Sequence, residues 1–372
     1  MKHWSPHLYK IYGKENKKAD ELLENALNQA EILQNKRLPV ILTLGHLAKH
    51  TGISYSILRK LVARENKAYK IFKIKKRSSG YRVICVPNKD LLKIQKWINK
   101  FVLSKLESSP FSYAFEQGQS IVDCAAQHLG CRWLIKIDLR NFFESLSEIQ
   151  VFRIFKEAGY NNLLSFEMAR LCTKQAKGGW KYHSKYWKNN FSGIIKEYNA
   201  DIIGHLPQGA PTSPKLANLI VKNLDFEVND IAKKYSLVHT RYADDMIFST
   251  IDNSFDFKKA QCFIKEIFFI LPKYGLLPNR QKTKIIPPGG RKIVLGLLVD
   301  TEKVRLPKYF RRRLECHWYY CTKDITRHAE VRGFKSQLSM QYYIRGLIAF
   351  AKQVDENFVE RLKEKYGEPE WI

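Results

Sequence analysis

The chain of 372 residues has no long apolar stretch, no paired cysteines and few acidic residues for its size. No apolar run approaches the roughly 20 residues that a membrane-spanning helix needs, and the first residues lack the apolar core of a signal peptide. We therefore expect a cytoplasmic protein with no membrane partner. The seven cysteines are scattered singly and odd in number, which argues against a disulfide framework.

Basic residues outnumber acidic residues by a wide margin. The 64 Lys plus Arg against 36 Asp plus Glu give a formal charge of +28. A surface of this kind favours a polyphosphate partner, although an acidic protein or an anionic membrane would also suit it. Residues 61–100 hold twelve Lys or Arg and two acids, which makes this block the stronger candidate for a phosphate track.

Two segments place carboxylates at the ends of strand-like runs. Asp244 and Asp245 stand between short apolar runs, a pattern typical of a strand, a tight turn and a strand. About a hundred residues upstream, an alternating apolar run ends on Asp138. An Asp in that position often only caps the next helix. Here the Asp pair supplies a partner, and two such strands can hold two Mg²⁺ ions between them for nucleotidyl transfer.

The run Tyr242-Ala243-Asp244-Asp245, with Asp138 and the segment from Leu206 to Pro214, resembles the reverse transcriptase family and within it the bacterial retron enzymes. The likeness covers nearly the whole chain from about Leu38 onward, and the shared order and spacing of the motifs make coincidence a poor explanation. The resemblance implies an α+β right-hand polymerase fold with fingers, a palm of antiparallel sheet with helices, and a helical thumb.

We place four regions on this fold. They are an N-terminal helical extension at residues 1–67, fingers at 68–130, a palm at 131–300 with a basic and aromatic insertion near 174–200, and a helical thumb at 301–372.

The resemblance also assigns catalytic roles. Asp138 and Asp244 would be the shared ligands of two Mg²⁺ ions, and Asp245 would contribute as a metal ligand through water or act near the primer end. Lys282 would be the general acid for pyrophosphate departure, although an exposed Lys in a basic protein is more often only part of the positive field.

Substrate contacts are expected from the fingers hairpin at residues 68–88. By resemblance this hairpin closes over the incoming deoxynucleoside triphosphate, with Lys76 and Arg82 gripping its phosphates. Lys75 or Arg77 could replace Lys76, because the loop length leaves the alignment open. A plain solvated hairpin would also explain this run of charge.

Three further residues are predicted to contact the nucleotide. Phe143 stands where the family places the aromatic ring that meets the 2′ carbon of the sugar and excludes a 2′-hydroxyl, and the alternative is a core residue like Phe142. Gln208 can hydrogen-bond the sugar or base, and Gly209 lets the backbone approach a ligand closely.

The segment 174–200 mixes lysines with aromatic residues. This composition suits phosphate contact and base stacking, and it equally suits a hairpin packed on the palm or a docking surface for a partner. The residues concerned are Lys174, Lys177, Lys181, Lys185, Lys188 and Lys196 with Trp180, Tyr182, Tyr186, Trp187, Phe191 and Tyr198.

The functional prediction is an RNA-directed DNA polymerase. By resemblance it binds a cognate non-coding RNA, extends DNA from an internal 2′-hydroxyl to give a branched RNA–DNA product (msDNA), and serves in anti-phage defence with a separate effector protein. The alternatives are a reverse transcriptase of the group II intron or abortive-infection lineage, or a non-catalytic scaffold for RNA and effector. Cys124 in place of the usual Asn before His128, and Val294-Leu295-Gly296 in place of Val-Thr-Gly, bear on the retron subtype.

Overall fold

The helices occupy both ends of the chain and flank a central sheet. A computed structural model describes residues 5–65, 68–76, 80–175, 203–369 and 371. The helices are Pro6–Glu15, Asp20–Asn35, Leu44–Thr51, Tyr55–Ala63, Lys89–Phe101, Ile121–Ala126, Phe142–Ser145, Glu148–Ala158, Asn162–Cys172, Ser213–Ile220, Lys222–Lys234, Phe257–Ile270, Lys308–Lys323, Ile325–Val331, Gln337–Val354 and Glu356–Tyr366, with 3₁₀ turns at Leu103–Lys105 and Leu271–Tyr274. None of these described helices is long and apolar enough to cross a bilayer.

Within the described residues, the strands form one antiparallel sheet of four and three small antiparallel pairs. The four-stranded sheet has the order β6-β7-β3-β8, and the pairs are β1 with β2, β4 with β5, and β9 with β10. The strands are β1 Tyr69–Lys75, β2 Tyr81–Pro87, β3 Trp133–Asp138, β4 Lys174–Gln175, β5 Gly204–His205, β6 Val238–Tyr242, β7 Asp245–Thr250, β8 Lys284–Ile286, β9 Ile293–Val294 and β10 Leu297–Leu298.

Successive side chains of the central strands belong alternately to two hydrophobic cores. Ile135 of β3 and Phe248 of β7 belong to a core shared with the helices before residue 280. Leu134 and Ile247, one position away on each strand, belong to a second core that includes the C-terminal helices. Because successive side chains of a strand point to opposite faces, the sheet is covered on both sides. Its strand ends are thereby held on a rigid support.

The N-terminal helices confirm most of the predicted pattern. The apolar spacing over residues 16–36 predicts an amphipathic helix, and the structure has one at Asp20–Asn35, with Leu23, Ala30 and Leu33 as its narrow buried seam. It starts later than predicted because residues 16–18 form the turn after an earlier helix, Pro6–Glu15. The Ser5 side chain caps that earlier helix, with Pro at its first position, a start signal that the sequence prediction missed.

The C-terminal helical pattern is also confirmed, with shifted ends. The sequence pattern predicts a helix from Leu306 to Tyr320, and the structure has the helix Lys308–Lys323, preceded by Pro307. The pattern also predicts a helix from Tyr342 to Phe350, which is longer in the structure, Gln337–Val354, because Ser336 and Ser339 form a capping box at its start. The short helix Ile325–Val331 had not been predicted.

The pair β4–β5 brings Lys174 opposite His205 at the base of the predicted insertion. The rest of the insertion, residues 176–202, lies outside the described residues. The proposed nucleic-acid or docking role of this segment therefore stays a prediction, as do the four region boundaries.

Candidate active site

The candidate carboxylates lie where the central strands end. Asp138 is the last residue of β3 and the register partner of Asp245, the first residue of β7. Ala243 adopts left-handed backbone with φ 56°, which turns the chain between β6 and β7 and puts Asp244 in the turn. The Leu139 amide donates to the Asp244 carbonyl at 2.9 Å. Backbone bonds thus tie the two carboxylate segments together.

The Asp138 carboxylate is buried and both of its oxygens accept hydrogen bonds. Asn279 Nδ2 donates to Oδ1 and Lys282 Nζ donates to Oδ2, each at 2.9 Å. The Asn279 amide also donates to the Asp138 carbonyl at 2.7 Å, which docks this turn on the end of β3. The hydrogen bond to Asp138 raises the pKa of Lys282. The Lys282 side chain is still 59% exposed, so it can move away without disturbing the core.

The Asp pair is electrostatically crowded. Burial raises the pKa of Asp244, and the nearby Asp138 carboxylate adds to the rise. Burial and the Asp244 charge together raise the pKa of Asp245 to about 6, against the attraction of Lys136. Like charges in a low-dielectric site disfavour ionisation of each other. Burial and mutual repulsion therefore both oppose full ionisation of the Asp pair.

A buried Arg241 fixes the turn that precedes Asp244. Its guanidinium pairs with the Asp225 carboxylate through Nε to Oδ1 at 2.7 Å and Nη2 to Oδ2 at 2.8 Å. Nη1 donates to the Ala243 carbonyl at 3.1 Å and to Asn218 Oδ1 at 3.0 Å. A buried charge persists only when it is paired and hydrogen-bonded. The satisfied guanidinium thereby holds the carbonyl of a left-handed residue in place.

A buried histidine clamps the two strands of the hairpin β6–β7. His128 Nε2 lies 2.7 Å from Thr240 Oγ1 on β6, and Nδ1 lies 2.6 Å from Ser249 Oγ on β7. Burial lowers the pKa of His128 to about 3, so the ring is neutral at physiological pH. The residue that survives from the retron-like pattern therefore packs beneath the hairpin, on the far side from solvent.

The hairpin β1–β2 brings its charges to the carboxylates. Arg82 lies close enough to Asp244 for its charge to oppose the rise in the pKa of that carboxyl, which burial causes. Lys76 acts in the same way on Glu144, whose pKa is raised by burial. The structure thus places Arg82 within electrostatic reach of Asp244 and Lys76 within reach of Glu144, whereas the substitute Arg77 lies outside the described residues.

The predicted Gln208-Gly209 turn is docked on the same hairpin. The Cys85 amide of β2 donates to the Gln208 carbonyl at 2.8 Å. Gly209 has φ 109°, and a Cβ there would lie 3.0 Å from Ile84 Cγ2 and 3.1 Å from the Cys85 carbonyl oxygen. The close backbone approach at Gly209 in this structure is to β2, and it leaves the Gln208 side chain partly exposed.

The two phenylalanines after Asp138 have different surroundings. Phe142 is 4% exposed and lies under the Arg241 guanidinium at 5.9 Å, which confirms it as a core residue. Phe143 is only partly buried, and its ring lies 5.6 Å from that of Phe142 and 6.4 Å from that of Phe115. The ring of Phe143 thus belongs neither wholly to the core nor wholly to solvent.

The donor set suits a hard divalent cation, because carboxylate oxygens are its preferred protein ligands. Within the described parts of the chain, no three His, Cys, Asp or Glu side chains form a ready-made metal cluster. The Asp138 oxygens are engaged by Asn279 and Lys282 instead. Burial, with like-charged neighbours, raises the pKa values of Asp244 and Asp245, and a bound cation would favour their ionised forms. These residues therefore fit a divalent metal ion.

Comparison with known families gives the lineage of this site. A sequence model of the family described as reverse transcriptase (RNA-dependent DNA polymerase) matches residues 74–305, well over half of the chain. The chain belongs to the reverse transcriptase family. Enzymes of this family use divalent metal ions, in agreement with the donor set.

Curated relatives narrow the assignment. The retron Ec86 reverse transcriptase of Escherichia coli is 34% identical over 346 residues, which cover 90% of this chain and 94% of the relative. The retron Mx65 reverse transcriptase of Myxococcus xanthus is 28% identical over 345 residues, which cover 88% of this chain and 72% of the relative. This reverse transcriptase is thus a retron-type RNA-directed DNA polymerase with the α+β polymerase fold of its family, and RNA is its template partner.

Two solved structures also resemble the chain weakly. Telomerase from Candida albicans, in complex with a fragment of telomeric RNA, gives a TM-score of 0.40 at 14% identity and covers 80% of this chain and 56% of its own. A foamy viral protease-reverse transcriptase with double-stranded DNA gives a TM-score of 0.40 at 16% identity and covers 82% of this chain and 41% of its own. Scores this low support no conclusion about this reverse transcriptase.

Several residues of the site escaped the sequence prediction. Asn279, three positions before Lys282, is a second partner of Asp138, and its place in the same short motif was the signal available. Arg241 stands in the same run as the Asp pair, yet nothing in that run shows that it is buried. Asn218 and Lys136 offered no signal of their own.

Proposed function

We propose that this retron-type reverse transcriptase uses Asp138 and Asp244 as shared ligands of two Mg²⁺ ions, with Asp245 contributing through water or near the primer end. The ions, when bound, would clamp the attacking and leaving oxygens of nucleotidyl transfer. Asp138 becomes available when Lys282 moves off its carboxylate. Lys282 then stands beside the departing pyrophosphate as general acid. The observation that carries this proposal is that Asp138 is in register with Asp245 while the next residue, Leu139, is hydrogen-bonded to Asp244.

We further propose that the deoxynucleoside triphosphate enters between β1–β2 and the carboxylates. Lys76 and Arg82 would contact its phosphates, since both are exposed and the charge of Arg82 already acts on Asp244 and that of Lys76 on Glu144. Gln208 would contact its sugar or base. Phe143 would lie against the 2′ carbon and exclude a ribonucleotide by collision.

The Asp244→Asn variant tests the metal assignment. We expect it to reduce DNA synthesis in Mg²⁺ by at least a thousandfold, because it removes a metal ligand, while RNA affinity stays within about twofold. Asp230→Asn, at an exposed position of the helix Lys222–Lys234, is the control with the same chemical change. Substantial polymerisation by purified Asp244→Asn would refute the role of Asp244.

For the biological product, we propose a branched RNA–DNA molecule made from a cognate structured RNA in the cytoplasm, as part of anti-phage defence with a separate effector protein. The support is the retron lineage of the relatives, because both curated relatives described above are retron enzymes. This lineage favours self-priming over the intron-like and abortive-infection alternatives. The matching catalytic motifs favour synthesis over a scaffold role.

Self-priming makes a specific chemical prediction. If DNA starts on the 2′-hydroxyl of an internal guanosine, the first deoxynucleotide joins the RNA through a 2′,5′ linkage. Product should then form with the cognate RNA and no added oligonucleotide, and a debranching enzyme should release its short RNA remnant. Synthesis that requires an annealed 3′-hydroxyl primer, or product that debranching leaves unchanged, would reject self-priming.

A further inference from the structure

Phe115 has an unusual backbone for an aromatic residue. Its φ is 62°, in the left-handed region, and its side chain is 48% exposed. Outside glycine and asparagine such a conformation is uncommon, and it persists only where the surroundings enforce it. An exposed ring held in strained backbone is therefore a sign that its position matters.

Hydrogen bonds fix the residues on both sides of Phe115. Asn218 Nδ2 donates to the Ala114 carbonyl at 2.7 Å and to Glu116 Oε1 at 2.8 Å. Lys215 Nζ donates to Glu116 Oε2 at 2.6 Å. Both donors belong to the helix Ser213–Ile220, which begins just after the Gln208-Gly209 turn. The backbone of Phe115 is thus clamped to a rigid element of the site.

The same clamp reaches the catalytic turn. Asn218 Oδ1 accepts from Arg241, and Arg241 also donates to the Ala243 carbonyl. Asn218 therefore links the neighbours of the left-handed residue Phe115 to Arg241, which in turn holds the left-handed residue Ala243. The ring that this arrangement presents is tilted by 49° against Phe143, with the centroids 6.4 Å apart, within the range of favourable aromatic pairs.

The geometry points to Phe115 as a positioning residue for sugar selection. Its ring backs the ring of Phe143, so that Phe143 cannot swing aside when a 2′-hydroxyl presses on it. Exclusion by collision requires a ring that does not yield, and Phe143 is only partly packed by the core. The inference rests on the proposed role of Phe143 and adds the residue that makes this role effective.

The test compares specificity constants for a deoxynucleotide and its matching ribonucleotide on a primed RNA template. We expect Phe115→Ala to lower the preference for the deoxynucleotide about tenfold, through faster ribonucleotide insertion. Phe115→Leu, which keeps most of the bulk, should retain most of the preference. Phe257→Ala, at a helix start with 50% exposure, is the matched control and should leave the ratio unchanged. Thermal melts of all variants check that each is folded.

A double variant separates this inference from the role of Phe143. In the double variant, Phe115→Ala should change the ratio of specificity constants little beyond the effect of Phe143→Ala, because Phe115 acts through the Phe143 ring. If Phe143→Ala shifts the ratio and Phe115→Ala lowers both constants equally, Phe115 is only structural and the inference fails. If Phe143→Ala leaves the ratio of specificity constants unchanged, the proposed role of Phe143 fails. If Phe115→Ala alone then shifts this ratio, Phe115 does not act through Phe143, and the positioning account fails as well.

Discussion

Asp138 is the residue on which the partners of the site converge. Its two oxygens accept hydrogen bonds from Asn279 and Lys282, and it is paired with Asp245 across the two strands. Asn279 is also fixed through its backbone, whereas the Lys282 ammonium reaches in from an exposed stem. The lysine is therefore the partner that can leave. Asn279 keeps the carboxylate oriented while it does so.

The Lys282→Ala variant tests the proposed role of Lys282. We expect the turnover number to fall about a hundredfold, the lower range for loss of a general acid, with little change in RNA affinity. Lys284→Ala removes another exposed lysine two positions along and should have little effect. Pre-steady-state incorporation of one deoxynucleotide is the measurement. Equal losses in both variants would make Lys282 only a part of the positive field.

Local patterns predicted the carboxylates because strand, turn and Asp pair lie within nine residues of one another. Contacts between distant segments could not be predicted this way. Asn279 and Asp138 are 141 residues apart in the chain, and Asn218 meets Arg241 from a different element. The left-handed Phe115 has no sequence signature, because neither glycine nor asparagine marks it.

At the scale of elements, the hairpin β6–β7 is held from below by a neutral histidine. His128 joins Thr240 and Ser249, one from each strand, so the clamp spans the hairpin that carries the Asp pair. The adjacent His239 is also buried, stacked on Phe248, and burial lowers its pKa to about 3. Protonation of either ring would place an uncompensated charge beneath the hairpin.

This arrangement makes the hairpin sensitive to acid. The folded pKa of His128, about 3, lies below the unfolded value of 6.5, so the unfolded chain takes up a proton first as the pH falls. The contribution of neutral His128 to the free energy of unfolding is thus fully present above pH 6.5 and is lost as the pH falls toward 3. By pH 5 the free energy of unfolding should have fallen by about 2 kcal/mol on this account.

Chemical denaturation of the wild type and His128→Gln at pH 7.5 and pH 5 measures this loss. The variant keeps an amide that can hydrogen-bond but cannot titrate in this range, so the fall between the two pH values should be smaller in the variant. Parallel curves for the two proteins would show that His128 does not titrate on unfolding.

At the scale of the whole molecule, the positive charge extends beyond the carboxylate site into the C-terminal helical region. A concave surface that encloses a volume of about 660 Å³ lies at the start of the helix Lys308–Lys323. None of its described lining residues is acidic. They are Arg291, Lys308, Tyr309, Arg312, Arg313, Cys316, His317 and Arg332. This concave surface is suited to a nucleic-acid backbone, and we predict that it contacts the template duplex.

Salt dependence distinguishes local phosphate contacts from the general field. Changing both Arg291 and Arg312 to Gln should weaken binding of an RNA–DNA duplex and reduce the slope of log affinity against log salt by about two, because two fewer counterions are released. Turnover at saturating duplex should stay unchanged. The control changes Lys352 and Lys365 to Gln, since these lysines are paired with Glu360 and Glu315. It removes the same net charge, so an equal change in slope would show that only total charge matters and that the concave surface makes no phosphate contacts of its own.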